Sequence, residues 1–170
     1  LIGSANSSDG LIMSLDTLGN ERWFYFYHGP LSSSYYSGLF SIILGSDGNL
    51  YISGNSDFNP YSAGWLTMSL NPYGTWRWTY LRTQVGRSQK LIWSYDENIY
   101  SLGVESNKLT LRKLSSSNGE EIWTYQYSQS ARSGGNSICG NGNRIYVAGS
   151  QGIWTTGDLI VLCIEDNSRR

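Results

Sequence analysis

Four segments of this chain share one pattern, and that repeat limits the fold more than any other feature. "DGLIMSLDTLGNERW" (Asp9 to Trp23), "AGWLTMSLNPYGTWRW" (Ala63 to Trp78) and "NKLTLRKLSSSNGEEIW" (Asn107 to Trp123) each run from an apolar segment through a glycine-bearing turn to a tryptophan. "TGDLIVLCIEDNSRR" (Thr156 to Arg170) begins in the same way. A second landmark recurs as "GNLYISG" (Gly48 to Gly54), "ENIYSLG" (Glu97 to Gly103) and "NRIYVAG" (Asn143 to Gly149), and the opening "LIG" (Leu1 to Gly3) matches its tail. Its closing glycines, Gly3, Gly54, Gly103 and Gly149, are 51, 49 and 46 residues apart, and Trp23, Trp78 and Trp123 are 55 and 45 apart. A period of about 40 to 50 residues marks architectures in which each unit buries its face against the next.

Each unit reads as four short strands. The "LYISG" element alternates β-branched and aromatic residues and stops at glycine, which makes it strand B. The "LIMSL" or "LIVLCI" element is strand C, followed by a hairpin-like turn through Gly19, Gly74 or Gly119. The aromatic runs Arg22 to Tyr27, Trp76 to Leu81 and Ile122 to Tyr127 are strand D. Shorter runs, Leu39 to Gly45, Lys90 to Tyr95 and Asn136 to Gly140, are strand A, joined to B by turns at Ser46 to Asn49, Asp96 to Asn98 and Gly140 to Asn143. No stretch shows apolar spacing at the helical period, so the expectation is an all-β fold of four propeller-like blades of short antiparallel strands, incomplete at both ends. As a single domain of 170 residues it divides into blades at about 1–28, 29–83, 84–128 and 129–170.

The patterns "IYVAGS", "GDLIVLCI" and "LRKLSSSNGEEIW" resemble β-propeller repeat proteins of the seven-bladed-propeller repeat type, and more distantly the tryptophan-bearing blades of pyrroloquinoline-quinone-type proteins. The resemblance covers nearly the whole chain and implies a propeller fold. It carries activity poorly, because such blades occur in proteins of many functions.

Composition narrows the partners. Charged residues are 15% of the chain and the net charge is −1, with Lys and Arg scattered singly, so no face suits phosphates and nucleic acid is excluded as a partner. Ser, Gly, Asn and Tyr supply the polar surface, a bias that suits an extracellular or cell-surface protein. The longest apolar run, Leu159 to Ile164, is far below the 18 or so residues of a membrane span. The chain has neither an initiator Met nor a signal peptide, and is read as a processed mature chain or a piece of something longer.

Few residues suggest chemistry. His28, the one histidine, has no nucleophile-elbow sequence near any serine and is read as a loop residue. One His and two separated Cys cannot fill a zinc shell, and Asn55, Asp57 and Asn59 lack the glycine and distal Glu of a calcium loop. Asn6 begins the lone N-glycosylation sequon. No catalytic residue, cofactor or metal is assigned, and the chain is read as a non-enzyme. Trp23, Trp78 and Trp123 recur at one repeat position, as blade-docking residues would. Trp65 and Trp154 lie off that register and are read as an exposed contact surface. Cys139 in strand A and Cys163 in strand C are separated by strand B, hence by about 9.5 Å, beyond the roughly 7 Å limit of a disulfide. Free, buried thiols are expected, with an intermolecular disulfide as the alternative.

The strand slots read B-C-D, A-B-C-D, A-B-C-D, A-B-C, fourteen where four full blades take sixteen. The absent first A and last D leave two edges without a partner: the segment Asp158, Leu159, Ile160, Val161, Leu162, Cys163, Ile164, and the opening Leu1, Ile2, Gly3. An uninterrupted edge is a template for strand addition. The expected function is therefore a structural protein that self-assembles, as a homo-oligomer ring or filament, through its open edges. The alternatives are a binding module for a glycan, a peptide or another surface protein, and a fragment of a longer multi-blade surface protein, with an enzyme fragment last. The polar "NSRR" end (Asn167 to Arg170) leans towards a genuine terminus.

Overall fold

A computed structural model of the chain describes residues 1–5, 9–30, 37–59, 62–93, 96–127, 129, 132–153 and 156–167. Among the described residues there are thirteen strands and no helix: β1 (Ile2–Ala5), β2 (Asp9–Leu15), β3 (Glu21–Tyr27), β4 (Gly38–Leu44), β5 (Leu50–Asn59), β6 (Ser62–Leu70), β7 (Trp76–Trp93), β8 (Ile99–Glu105), β9 (Lys108–Leu114), β10 (Glu121–Gln126), β11 (Ser133–Asn141), β12 (Arg144–Ile153) and β13 (Thr156–Glu165). Every neighbouring pair is antiparallel, and the sheet orders are β1-β2-β3, then β4 through β10 in sequence, then β11-β12-β13.

The thirteen strands fill the four repeat units in chain order. Unit 1 is β1 to β3, unit 2 is β4 to β6 with the first half of β7, unit 3 is the second half of β7 with β8 to β10, and unit 4 is β11 to β13. The boundary expected between residues 83 and 84 falls inside β7, which is one 18-residue strand. Its residues up to Val85 pair with β6, and those from Gly86 pair with β8. The backbone stays extended across the handover through Val85 and Gly86.

Local chemistry sets the hairpins. The Asp16 carboxylate accepts the Leu18 and Asn20 backbone N–H groups, both at 2.8 Å, and Asn71 Oδ1 accepts those of Tyr73 and Thr75 at 2.9 Å. These are side-chain turns that fix the C-to-D hairpins. Gly19 and Gly74, with φ of +87° and +81°, complete them, and Gly119, at +77°, does the same in the third hairpin.

Strand periodicity then gives each unit two faces. The leading face looks to the following unit and the trailing face to the preceding one. Ile12, Tyr27, Trp23 and Tyr25 of unit 1 meet Ile52, Leu66, Met68 and Leu70 of unit 2. Tyr51 and Trp78 of unit 2 meet Leu91, Ile99 and Leu114 of unit 3. Tyr100, Leu102, Leu109 and Leu111 of unit 3 meet Ile145, Val147 and Ile160 of unit 4. The core is thus three sheet-on-sheet interfaces in series, with no shared centre.

Tryptophans cross two of these interfaces. The Trp23 indole N–H donates to the Pro72 carbonyl at 3.0 Å, and that of Trp78 to the Ser116 carbonyl at 2.9 Å. Each ring lies on the turn glycine of the next unit, so close that a Cβ on Gly74 would sit 2.7 Å from Trp23 and one on Gly119 2.5 Å from Trp78. Trp123 packs edge-on to Tyr100 and against the core between units 3 and 4.

Candidate interaction surfaces and the interface cleft

The terminal units carry the first candidate surface. Between β11 and β13 runs β12, which pairs Tyr146 with Cys139 on one side and with Cys163 on the other. The three side chains therefore form one row on one face, and the two thiols are free. They are exposed, which corrects the expectation of burial. The reason is register: Ile138, Leu162 and Ile164 alternate with the cysteines and take the buried, trailing face. On the leading face of unit 4 stand Leu159, 89% exposed, Val161, 77% exposed, and Tyr146. Ile160 of the same strand is buried.

Asp158 to Ile164 lie in β13, whose outer edge has no strand partner among the described residues. Leu1, Ile2 and Gly3 lie at the corresponding edge of unit 1, where Ile2 and Gly3 pair with Ile12 and Leu11 of β2. The Leu1 ammonium donates to the Met13 carbonyl at 2.8 Å, and nothing pairs with the far side of β1 among the described residues. On the trailing face of unit 1, Leu11 pairs with Phe26 and Met13 with Phe24, and Phe24 is 53% exposed. The two phenylalanine rings meet edge-on at 5.2 Å.

The second candidate is a cleft of about 470 Å³ between units 2 and 3, lined by Arg82, Glu105, Lys108, Arg112, Glu121 and Gln126. Arg112 is its centre and is 1% exposed. Its Nη1 donates to Glu121 Oε2 at 2.7 Å and to Thr124 Oγ1 at 2.8 Å, while Nη2 lies 2.6 Å from Glu105 Oε2. The guanidinium stands 4.9 Å over the Trp65 ring. Arg82, from β7, comes within 3.2 Å of Glu105 and 3.5 Å of Glu121. Burial raises the Glu121 carboxyl, but hydrogen bonds from Thr124 and Tyr80 and the charge of Arg112 outweigh it and hold the carboxyl below its usual range. Burial, and then the hydrogen bond to Glu121, push the Tyr80 phenol up to about 12. Glu121 is thus held as an anion, and both carboxylates lie within ion-pair distance of the two guanidinium groups.

Trp65 was expected at an exposed loop and is instead inside β6, fully buried, with its indole N–H 3.2 Å from Ser101 Oγ. It is the floor of the arginine site. Sequence reasoning missed Arg112 itself, although the repeat held a signal. Pairing registers align Met13, Met68, Arg112 and Leu162 at one position of strand C. A buried cation stands where three units have apolar side chains.

A second ionic cluster ties units 3 and 4. Lys113 Nζ bonds Asp166 at 2.6 Å and also pairs with Asp96, and the Tyr100 hydroxyl donates to Asp166. Burial would lower the Lys113 ammonium, but Asp166 and Asp96 reverse this and raise it.

Of the remaining sequence candidates, His28 Nδ1 lies 3.0 Å from Asp9 at an exposed position. No group of three His, Cys, Asp or Glu side chains able to hold a metal occurs among the described residues. Trp154 and Asn6, and the side chains of Asp57 and Asn59, lie outside the described residues. Among the described residues no helix is long and apolar enough to cross a membrane. No protein-family model and no curated protein matches this sequence.

Proposed function

We propose that the chain is a non-catalytic structural protein of the cell exterior, built on propeller-like repeats, that self-assembles through its terminal units into a ring or filament. One observation carries this reading: the outer edges of β13 and β1 lack strand partners among the described residues, and β13 from Asp158 to Glu165 contains no Pro, Lys or bulge. Such an edge presents unpaired N–H and C=O groups to a strand of another chain. The sparing use of charge supports an exterior location. Light scattering on the purified chain across about 1 to 100 μM tests it, this being the range where specific associations of about −7 kcal/mol become visible. A mass that rises with concentration, and falls back when Val161→Pro removes a backbone donor from β13, is the expected result. A monomer throughout that range would leave the fragment reading in its place.

A second reading is a recognition module for a glycan or peptide. The observation favouring it is the polar cleft of about 470 Å³ around Arg82 and Glu105 between units 2 and 3. Binding on a glycan array by a monomeric chain is the result that would promote it.

A further inference from the structure

The three internal interfaces each stack a leading face on a trailing face, which at strand C is apolar in units 2 and 4 and carries Thr110, Arg112 and Leu114 in unit 3. The leading face of a unit carries Tyr51 or Tyr100 on strand B, and the apolar strand C residues of the trailing face are Leu66, Met68 and Leu70 in unit 2 and Ile160, Leu162 and Ile164 in unit 4. Unit 4 has the same leading face, with Tyr146 at the repeat position of Tyr51 and Tyr100, and Leu159, Val161 and Cys163 beside it on β13. Nothing covers it among the described residues. Unit 1 has the same trailing face, with Leu11, Met13 and Leu15 at the positions of Leu66, Met68 and Leu70. Among the described residues nothing covers that one either.

We propose that the leading face of unit 4 docks on the trailing face of unit 1 of a second copy, repeating between chains the face-to-face interface that the chain forms three times within itself. The proposal rests on the self-assembly reading and names the surface that joins the copies. What specifies the partner is the match of the two faces. Phe24 and Phe26 of unit 1 pair with Met13 and Leu11, whereas the inner units carry Thr79 and Leu81, or Thr124 and Gln126, at the same places. Those larger rings face the side of unit 4 beyond β13, where no fourth strand is present among the described residues. Extra bulk on one surface thus corresponds to a missing strand on the other. The two faces differ, so the contact is head-to-tail.

Cys139 and Cys163 lie on the face in question and report on it without mutation. If the faces stack, iodoacetamide labelling of both thiols slows at least tenfold at concentrations where the chain is associated. Val161→Lys blocks the leading face and Phe24→Lys the trailing face, and both change exposed side chains whose loss leaves the internal cores intact. Each variant alone is expected to sediment as a folded monomer, while an equimolar mixture forms a dimer and nothing larger, since each supplies the face the other has lost. Association with the thiols fully reactive, or association undiminished in Val161→Lys, overturns the face-to-face contact and leaves edge pairing standing. An unmodified chain that stays monomeric at every concentration overturns both.

Discussion

Replacing Arg112 by Met tests whether the interface between units 2 and 3 is held by its ion cluster. Arg112 is 1% exposed and Glu105 is 3% exposed, so removing the guanidinium strands a carboxylate in the interior. Breaking a buried pair from one side costs about 3–5 kcal/mol. The cation–π contact with Trp65 adds up to about 2 kcal/mol when desolvated, which a methionine thioether on the same ring replaces in part. Arg82 softens the loss, since its guanidinium already lies 3.2 Å from Glu105 and remains as a counter-charge. The low end, about 3 kcal/mol, is therefore expected. With a urea m-value of about 2 kcal/mol/M the unfolding midpoint drops by about 1.5 M. The double variant Arg112→Met with Glu105→Leu removes the stranded charge as well. Glu121 then still has Arg82, Tyr80 and solvent. The double variant should recover more than about 1.5 kcal/mol relative to the sum of the two single changes, which is the size of coupling seen between contacting groups. Urea unfolding at pH 7, followed by tryptophan fluorescence, measures all four proteins. A cost below about 1 kcal/mol for Arg112→Met, or strict additivity in the double variant, would refute the reasoning.

Two further outcomes follow from the same geometry. Gly119→Ala places a Cβ 2.5 Å from the Trp78 ring at a φ of +77°, so it should cost clearly more than Gly142→Ala, where φ is +58° but nothing lies within 4 Å. The control should lose about 1–2 kcal/mol from the left-handed backbone alone. Gly119→Ala should lose at least about 1 kcal/mol more, with a changed tryptophan emission, and equal thermal shifts in the two variants would sink the docking argument. In alkali, burial and hydrogen bonds to Asp47 and Glu121 push Tyr51 and Tyr80 up to about 12, against about 10 in an unfolded chain. The folded state holds those protons longer, so their contribution is complete below about pH 10 and is lost as pH rises towards about 12. The urea midpoint should fall over that window and fall less steeply in Tyr51→Phe and Tyr80→Phe, which absorbance at 295 nm and unfolding curves together would check.

The strand slots were legible because their signals are local. Period-2 alternation, a glycine at a positive-φ turn position and an Asp or Asn that accepts the turn's N–H groups all act within a few residues, and they place β2, β6, β9 and β13 within a residue or two of the sequence reading. The junction of units 2 and 3 lies within two residues of the expected boundary, but the two strand slots there fuse into one strand, so the junction has no turn to mark it. Burial of the cysteines failed for a different reason. Cys139 and Cys163 are small and apolar, which argues for the interior, but the side a strand residue faces is set by register with its neighbours. Ile138, Leu162 and Ile164 had the stronger claim to the covered side.

The same dependence on register explains Trp65 and Arg112 together. An aromatic off the common tryptophan position looks like a surface residue until its strand is paired, and an arginine looks solvated wherever it stands. Aligned by register, Trp65 faces unit 3 and Arg112 faces unit 2, so the two form one contact across the interface. A stack of four similar sheets with only Leu, Ile and Met on their faces would give each leading face four nearly equivalent covers. Arg112 removes that freedom for one of them, because its charge is satisfied only where Glu105 and Glu121 of its own unit meet Arg82, Tyr80 and Trp65 of unit 2. The two terminal faces carry only exposed ion pairs at their margins, Arg144 with Glu165 on unit 4 and His28 with Asp9 on unit 1. Between these pairs they keep the apolar pattern of the repeat, the surface that the proposed contact between copies would cover.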